Sequence, residues 1–484
     1  MEIQVRQKDW LFLLVCLGLG LLGELSFFHG RIGMSYLVFI AGFYLVLFLR
    51  FRFVFHHRRI GLLLMIAIWI LAGSYLFYDS VLFYQLNLLI IPVLVFFHIV
   101  LITTPNQLNW SRPHFILLLT AKLRQGLQYV SSFCRLSLQK VFKNMTDQRA
   151  KTIKHILIGL AIGVPLLLII TGLLMSADAV FQDVVLRLPA FVLQLHFIEG
   201  VFRVAVVVFL AFLFFGIFQV LHRSSEVEEQ LNQERRNIHW DSVIAITILV
   251  MLNAIYVLFA AIQFTYFFSN GLQDGFTYAE YARRGFFELL FVTVINWTLL
   301  ICFLKLVNDS RKGIKMTLKI MYSLLIIVSG VMLVSAYQRL SMYQAAYGYT
   351  LDRILADGFM IFLMVVFAYT FIRVWIERLS LLHFYLIAGL AFYTVLNAIH
   401  IEQIIVDNNL ERYEETGKID VHYLNSLSYT GLEGLMELYE KEPDYPALED
   451  ILQERQTYME KQETWHSYNF TREAVTKRLQ ELEF

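Results

Sequence analysis

Eleven apolar runs, each long enough to cross a bilayer, constrain this chain more than any other feature. A helix needs roughly 20 apolar residues to span the hydrocarbon core. Runs of that length lie near 10–29, 32–50, 60–78, 81–104, 155–175, 200–222, 241–268, 285–306, 315–337, 352–374 and 381–400. Charged residues make up only 16% of the chain and hydrophobic ones 58%, whereas soluble proteins carry about 25% charge. Lipid offers the backbone no hydrogen-bond partner, so each run must satisfy its own N–H and C=O groups as a helix. The expected fold is therefore all-α, a polytopic membrane bundle of about eleven transmembrane helices.

The start, MEIQVRQKDW followed by LFLLVCLGLGLLGELSFF, has the basic head and apolar body of a signal peptide. Its body is long, no small-x-small cleavage site follows, and a second span comes at once, so it reads as a retained first helix. Cys16 and Cys302 fall in apolar runs and Cys134 in a polar loop, which implies no disulfide framework.

Lys and Arg set the expected orientation, because short cytoplasmic loops retain them. With the N-terminus inside, the inner segments hold 25 of the 40 and the outer loops and helix mouths seven: Arg31, Arg187, Arg203, Arg283, Arg284, Arg339 and Arg353. Eleven spans then place the C-terminal tail outside. The formal net charge of +1 hides a second asymmetry, since the tail from 401 to 484 has 19 acidic residues against eight basic ones, a net of −11.

The expected organisation is a four-helix membrane segment over 1–104, a basic cytoplasmic amphipathic loop over 105–154, a seven-helix membrane core over 155–400 and an acidic helical tail over 401–484. In the tail, apolar residues recur at helical spacing in YLNSLSYTGLEGLMELYE and REAVTKRLQELEF, with Pro443 and Pro446 between them, so two to four helices are expected. The loop AKLRQGLQYVSSFCRLSLQKVFKNM sets Leu123, Leu127, Val130 and Phe133 among Lys and Arg, as a helix on anionic lipid would, or as a stiff connector would. SADAVFQDVVLRLPAFVLQLHF is a second amphipathic loop on the outer side.

Charge within the spans collects at their outer ends. Arg283, Arg284 and Glu288 stand at the mouth of the eighth run, Glu24 ends the first, Glu199 and Arg203 open the sixth, and Arg339 follows the ninth. Arg353 and Asp357 open the tenth at an i,i+4 spacing that shares one face. Tyr278 and Tyr281 precede the eighth run, and Tyr337, Tyr343, Tyr347 and Tyr349 follow the ninth. Ionisable groups in membrane helices are costly and usually face a bundle interior or a wet cavity. Two readings stand: arginines that snorkel to the headgroups and anchor helix ends, or a polar outer vestibule. In the second, guanidinium and tyrosine would hold an anionic amphiphile, its phosphate on Arg and its carbon on the rings.

The midplane holds only neutral polar groups such as Asn253 and Asn296. Ion-coupled transporters usually carry titratable sites there, so a proton-driven pump is disfavoured. Walker A, dinucleotide, HExxH and G-x-S-x-G motifs are absent from the sequence. His29, His196 and His400 near Glu199 and Glu402 give HFIE and HIE pairs, a weak metal signal with further ligands unspecified. No cofactor, metal or nucleic acid is expected. The partners expected are membrane lipid and an anionic amphiphile or envelope protein.

TYAEYARRGFFELL, AAYGYTLDRI, NNLERYEETGKIDVHYLNSLS and LLMSADAVF together resemble the bacterial multi-pass membrane proteins classed as domain of unknown function four-one-seven-three, with the related four-one-five-three family behind them. The resemblance covers most of the chain from about the fifth run onward, the first four being generic. It implies a bacterial cytoplasmic-membrane protein and brings no activity, cofactor or substrate. The reading that follows is a non-enzymatic binding, sensing or accessory protein of the envelope. Its site residues are Arg283, Arg284, Glu288, Arg339, Arg353, Asp357, Glu199, Arg203, Tyr278 and Tyr281. One alternative is a transporter or lipid flippase, which would need a continuous polar path through the midplane. The other is a membrane transferase with Glu288 or Asp357 as base and Arg283 and Arg284 on a phosphate.

Overall fold

The helices lie where the apolar runs are. The computed structural model describes residues 7–52, 55–106, 110–112, 114–142, 170–178 with scattered positions from 152 to 182, 195–222, 240–268, 286–307, 311–458 and 464–482. In chain order the described membrane region comprises α1 (Gln7–Phe27), α2 (Met34–Phe51), α3 (Arg58–Phe77), α4 (Val81–Thr103), α5 (His114–Phe142) and α6 (Leu195–His222). It continues through α7 (Ser242–Phe268), α8 (Phe286–Leu306), α9 (Lys312–Tyr347), α10 (Leu351–Trp375) and α11 (Leu381–Ala398). All except α5 are long and apolar enough to cross a membrane, which makes ten such helices among the described residues. The protein is a multi-pass, all-helical membrane protein. The span expected near 155–175 lies mostly outside the described residues.

One boundary departs from expectation. The ninth run was expected to end near 337, but α9 continues to Tyr347 for a total of 36 residues. At about 1.5 Å per residue such a helix is about 54 Å long, against a hydrocarbon core of about 30 Å. The extension AYQRLSMYQAAY is too polar to register as a span, yet Leu340 and Gln344 are buried at an i,i+4 spacing, so packing rather than hydropathy keeps it helical.

Two apolar cores form. One joins α1 to α6 around Tyr36, Tyr44, Ile68, Phe215 and Phe218; the other joins α7 to α10 around Leu249, Phe303, Leu325 and Phe367. Helix α11 packs on both α3 and α10 and so stands between the groups. Within the first group α1 and α6 cross where a methyl added to Gly20 would fall 2.5 Å from the Val207 carbonyl oxygen. The small residue thus permits a backbone contact that lipid-dissolved helices favour. Helix α5 is packed against α6, with Tyr129 and Phe133 buried beside Phe215, while Leu123 and Leu127 remain exposed.

The tail forms α12 (Ile401–Thr416), α13 (Val421–Ser426), α14 (Ser428–Lys441), α15 (Leu448–Tyr458), a 3-10 turn at Trp465–Ser467 and α16 (Phe470–Gln480). Five α-helices replace the expected two to four. Helix α13, six residues long, is too short to leave a periodic signature; it is started by Asp420, whose carboxylate accepts from the Tyr423 amide. The break expected at Pro443 and Pro446 falls between α14 and α15. A third core, built on Ile405, Leu424, Leu435, Met436 and Leu452, holds the tail together and includes Phe83 of α4.

Candidate functional site

A helix ends with orphan groups, four N–H at its start and four C=O at its finish, which need partners. At one end of the molecule the tail supplies them for helices of both groups. Asn469 shows how: its carbonyl oxygen caps α16 by accepting from the Arg472 amide at 3.0 Å. Its amide nitrogen donates to the Tyr75 and Tyr78 carbonyls, each at 2.9 Å, at the finish of α3. Thr471 adds a bond to the Phe77 carbonyl at 2.7 Å. At the start of α2, the Gly33 and Met34 amides donate to the His466 and Tyr468 carbonyls at 2.9 Å.

Beneath these caps lies an ion pair. Arg472 donates to Asp79 at 3.0 Å, and the two residues are 4% and 8% exposed. Ser428 donates to the other Asp79 oxygen at 2.5 Å, the half-exposed Arg31 approaches it at 3.7 Å, and the Arg472 guanidinium also lies over the Tyr429 ring at 5.5 Å. Glu402 is close by and 4% exposed; burial pushes its carboxyl above the usual range, opposed by a hydrogen bond from Ser80. His400 lies on Tyr78 with ring centroids 4.7 Å apart and bonds Thr430 at 2.9 Å. Burial holds its imidazole below the ordinary value, with Asp407 opposing. The space among Tyr78, Ser80, His400 and Glu402 is a cavity of about 20 Å³, the size of a single water.

Over the second group the tail works through neutral groups and one arginine. The end of α9 is turned by Gly348, whose φ of +85° suits glycine. Arg412 of α12 donates to the Ala345 carbonyl at 3.1 Å and the Ala346 carbonyl at 2.8 Å, a cation on the negative end of a helix. Asn409 accepts from the Tyr349 amide at 3.0 Å and donates to its carbonyl at 2.9 Å. The Tyr423 hydroxyl accepts from the Leu351 amide at 2.7 Å. Two of the stretches that carried the family resemblance, AAYGYTLDRI and NNLERYEETG, are therefore bonded to each other.

The residues singled out from sequence divide between the groups. Arg283, Arg284, Tyr278 and Tyr281 lie outside the described residues. Glu288 is exposed in the first turn of α8. Arg339 is half-buried on the α9 extension. Arg353 donates to the Gly348 carbonyl and lies 4.3 Å from the centre of the Tyr343 ring; Asp357 accepts from Gln344 at 2.6 Å. In the first group Arg203 pairs with Glu199 at 2.5 Å, approaches Glu24 at 3.8 Å and bonds His29. His29 in turn meets His466 of the tail, ring centroids 5.7 Å apart. Among the described residues no group of three or more His, Cys, Asp or Glu side chains is placed to hold a metal, and the side chain of His196 lies outside them. Asp79, Asn409, Arg412, Asn469 and Arg472 were not picked out from sequence, because nothing in the spacing of a lone Asp, Asn or Arg reveals a partner 60 to 394 positions away.

A family model described as "Domain of unknown function (DUF4153)" matches residues 65–438. The chain belongs to this family. The match runs from within α3 through the tail to α14, so it begins earlier than the fifth run. It names the family that the sequence motifs placed behind the four-one-seven-three group. Comparison with curated proteins and with solved structures returned no match. The family description carries no activity, so any assignment of function rests on this chain's own geometry.

Proposed function

We propose that this is a non-enzymatic binding or sensing protein of the bacterial cytoplasmic membrane, its N-terminus cytoplasmic and its tail outside, in which the tail reports occupancy of a polar vestibule between the ends of the two helix groups. One observation carries the reading: the tail caps α2 and α3 in one group and α9 in the other, so a change in their spacing must strain it. The orientation is supported by the positive residues Arg50, Arg58, Lys315 and Lys319, which stand at the ends of α2, α3 and α9 away from the tail, as cytoplasmic loops would have them. An anionic amphiphile is the ligand class that fits Arg283, Arg284 and Arg339.

The alternatives have less support. A flippase or transporter needs midplane polar groups free to line a path, yet Asn253 donates to the Met321 carbonyl at 3.1 Å and Asn296 to Ser329 at 3.0 Å, both between helices. A transferase base at Asp357 would have to be its Oδ1, which is buried, since Gln344 holds Oδ2. The test is mass spectrometry of small molecules retained by detergent-purified protein, wild type against the Arg283→Ala, Arg284→Ala double variant. The expected result is a specific anionic species lost from a still-folded variant, whose re-addition to wild type alters amide exchange at 405–413. Equal retention by both proteins would overturn the vestibule.

A further inference from the structure

Between α2 and α4 on one side and α5 and α6 on the other lies a cavity of about 420 Å³. This is the volume range of small-molecule sites, but its walls are unlike such sites. Its lining, from Phe27 down to Leu123, is hydrocarbon and aromatic carbon, and Tyr36 brings the single hydroxyl among the lining residues. Most of the wall comes from the middle of spans: Ile40 and Phe43 of α2, Pro92 of α4 and Phe214 of α6. The cavity is open at the surface, where the lining residues Val93 and Leu123 are 67% and 39% exposed. Pro92 has no N–H to give the Leu88 carbonyl, so α4, although continuous, lacks one backbone bond where it borders the opening.

Water has no partners in such a space and would not fill it. An empty volume of this size would forfeit the contacts of every atom along its wall. A bilayer offers one abundant filler, the hydrocarbon tail of a lipid. The charge beside the mouth narrows the class. Helix α5, which contributes Leu119 and Leu123 to the lining, carries four basic residues and no acidic one; Lys122 is buried, and Arg124 stands next to the mouth. Arg124, directly after the mouth residue Leu123, is exposed, and so is Arg135. A basic helix edge next to an apolar opening matches an anionic headgroup above an acyl chain.

We infer that this cavity is a binding site for one anionic phospholipid, its acyl chain between α4 and α6 and its phosphate at the Arg124 edge of α5. The site uses none of the vestibule residues, so it stands or falls separately from the proposed function.

The test is native mass spectrometry of the full chain reconstituted in nanodiscs containing equal phosphatidylglycerol and phosphatidylcholine. Wild type is expected to release with a phosphatidylglycerol adduct. Val93→Trp, which fills the mouth, is expected to lose that adduct, and Leu45→Trp, on an exposed face of α2 outside the lining, to keep it. Arg124→Ala is expected to retain a lipid but lose the preference for the anionic one. Equal adducts on Val93→Trp and Leu45→Trp, a fatty-acid mass in place of a phospholipid, or no adduct on wild type would each overturn the assignment. Because Val93→Trp could fail to fold, a second measurement uses wild type alone: phosphatidylglycerol with a diazirine in its acyl chain, irradiated in the same nanodiscs. Labelling of peptides covering 91–99 and 210–218 is expected; labelling confined to α7 and α8 would overturn it.

Discussion

The tail closes both helix groups at the same end of the molecule, but by different physics. Over the first group it buries a full ion pair, Asp79 with Arg472, beneath a layer of backbone caps. Over the second it lays an arginine and neutral amides on carbonyls that an exposed helix end would otherwise offer to water. A buried pair is a threshold device: intact it costs little, and half of it costs a great deal, since the remaining charge has lost its water and its partner. Cap bonds are graded, each worth a modest amount and each replaceable by solvent. The first junction should therefore fail all at once and the second a bond at a time.

Asp79→Ala gives the largest effect. It leaves the Arg472 guanidinium 4% exposed without its carboxylate, a loss of about 3–5 kcal/mol. Limited proteolysis of detergent-purified protein should show the tail cut from the bundle at lower denaturant than in wild type. Replacing both partners, Asp79→Leu with Arg472→Met, should restore most of the loss, because no charge is left stranded. A double variant as weak as the single one would mean that shape, not charge, holds the junction. Arg412→Ala comes next, at about 1.5–3 kcal/mol for bonds from a charged donor. Faster amide exchange is expected at 345–351 and unchanged exchange at 75–79; loss of protection at both would show that the two junctions are one cooperative unit.

How much of this was legible beforehand follows from what sequence encodes. Hydropathy reports local burial in lipid, and it placed all ten described spans to within a few residues except where α9 leaves the membrane. There the helix is held by the tail and by buried Leu340 and Gln344, which composition cannot show. Of the candidate charges, those described are largely engaged with their own neighbours, Arg203 with Glu199 and Glu24, and Arg353 with Gly348 and Tyr343, and the longer α9 places Arg339 within the helix instead of after it. The junction residues were invisible because Asp79 and Arg472 are 393 positions apart.

Acid distinguishes the junctions further, since the titratable pair His400 and Glu402 packs against the first, on Tyr78 and Ser80. Burial depresses the His400 value, so its contribution is present above the ordinary imidazole value of 6.5 and lost as pH falls below it. Burial raises Glu402, so its contribution is present below the ordinary carboxyl value of 4.5 and lost as pH rises through the raised one. On acidification the two oppose each other. His400→Gln should leave a tail that docks more firmly as pH falls from 7 to 5, and Glu402→Gln one that loosens more steeply than wild type. The readout is the denaturant midpoint for tail release across that range. The same slope in both variants would remove the pair from the account of the junction.

The smallest effect is expected at the opposite end of the molecule, and it serves as the control for the comparison. Glu377 accepts from Lys315 at 2.7 Å and pairs with Lys319 at 2.8 Å, and those two bonds hold its carboxyl down to about 2. A depressed carboxyl contributes stability above its ordinary value of 4.5 and loses it as pH falls through about 2. Taken at face value, such a shift would suggest a strong interaction. The group is 43% exposed, however, and solvent and salt screen exposed pairs to about 0–1 kcal/mol. Glu377→Gln should therefore lower the thermal midpoint only slightly in low salt and not at all in high salt, leaving proteolysis of the tail untouched. If it instead matched Asp79→Ala, the two ends could not be separated by burial. The contrast drawn between a stranded charge at Asp79 and a solvated one at Glu377 would then have to be replaced by a long-range coupling along α9, the helix that carries Lys315 and Lys319 at one end and the Arg412 cap at the other.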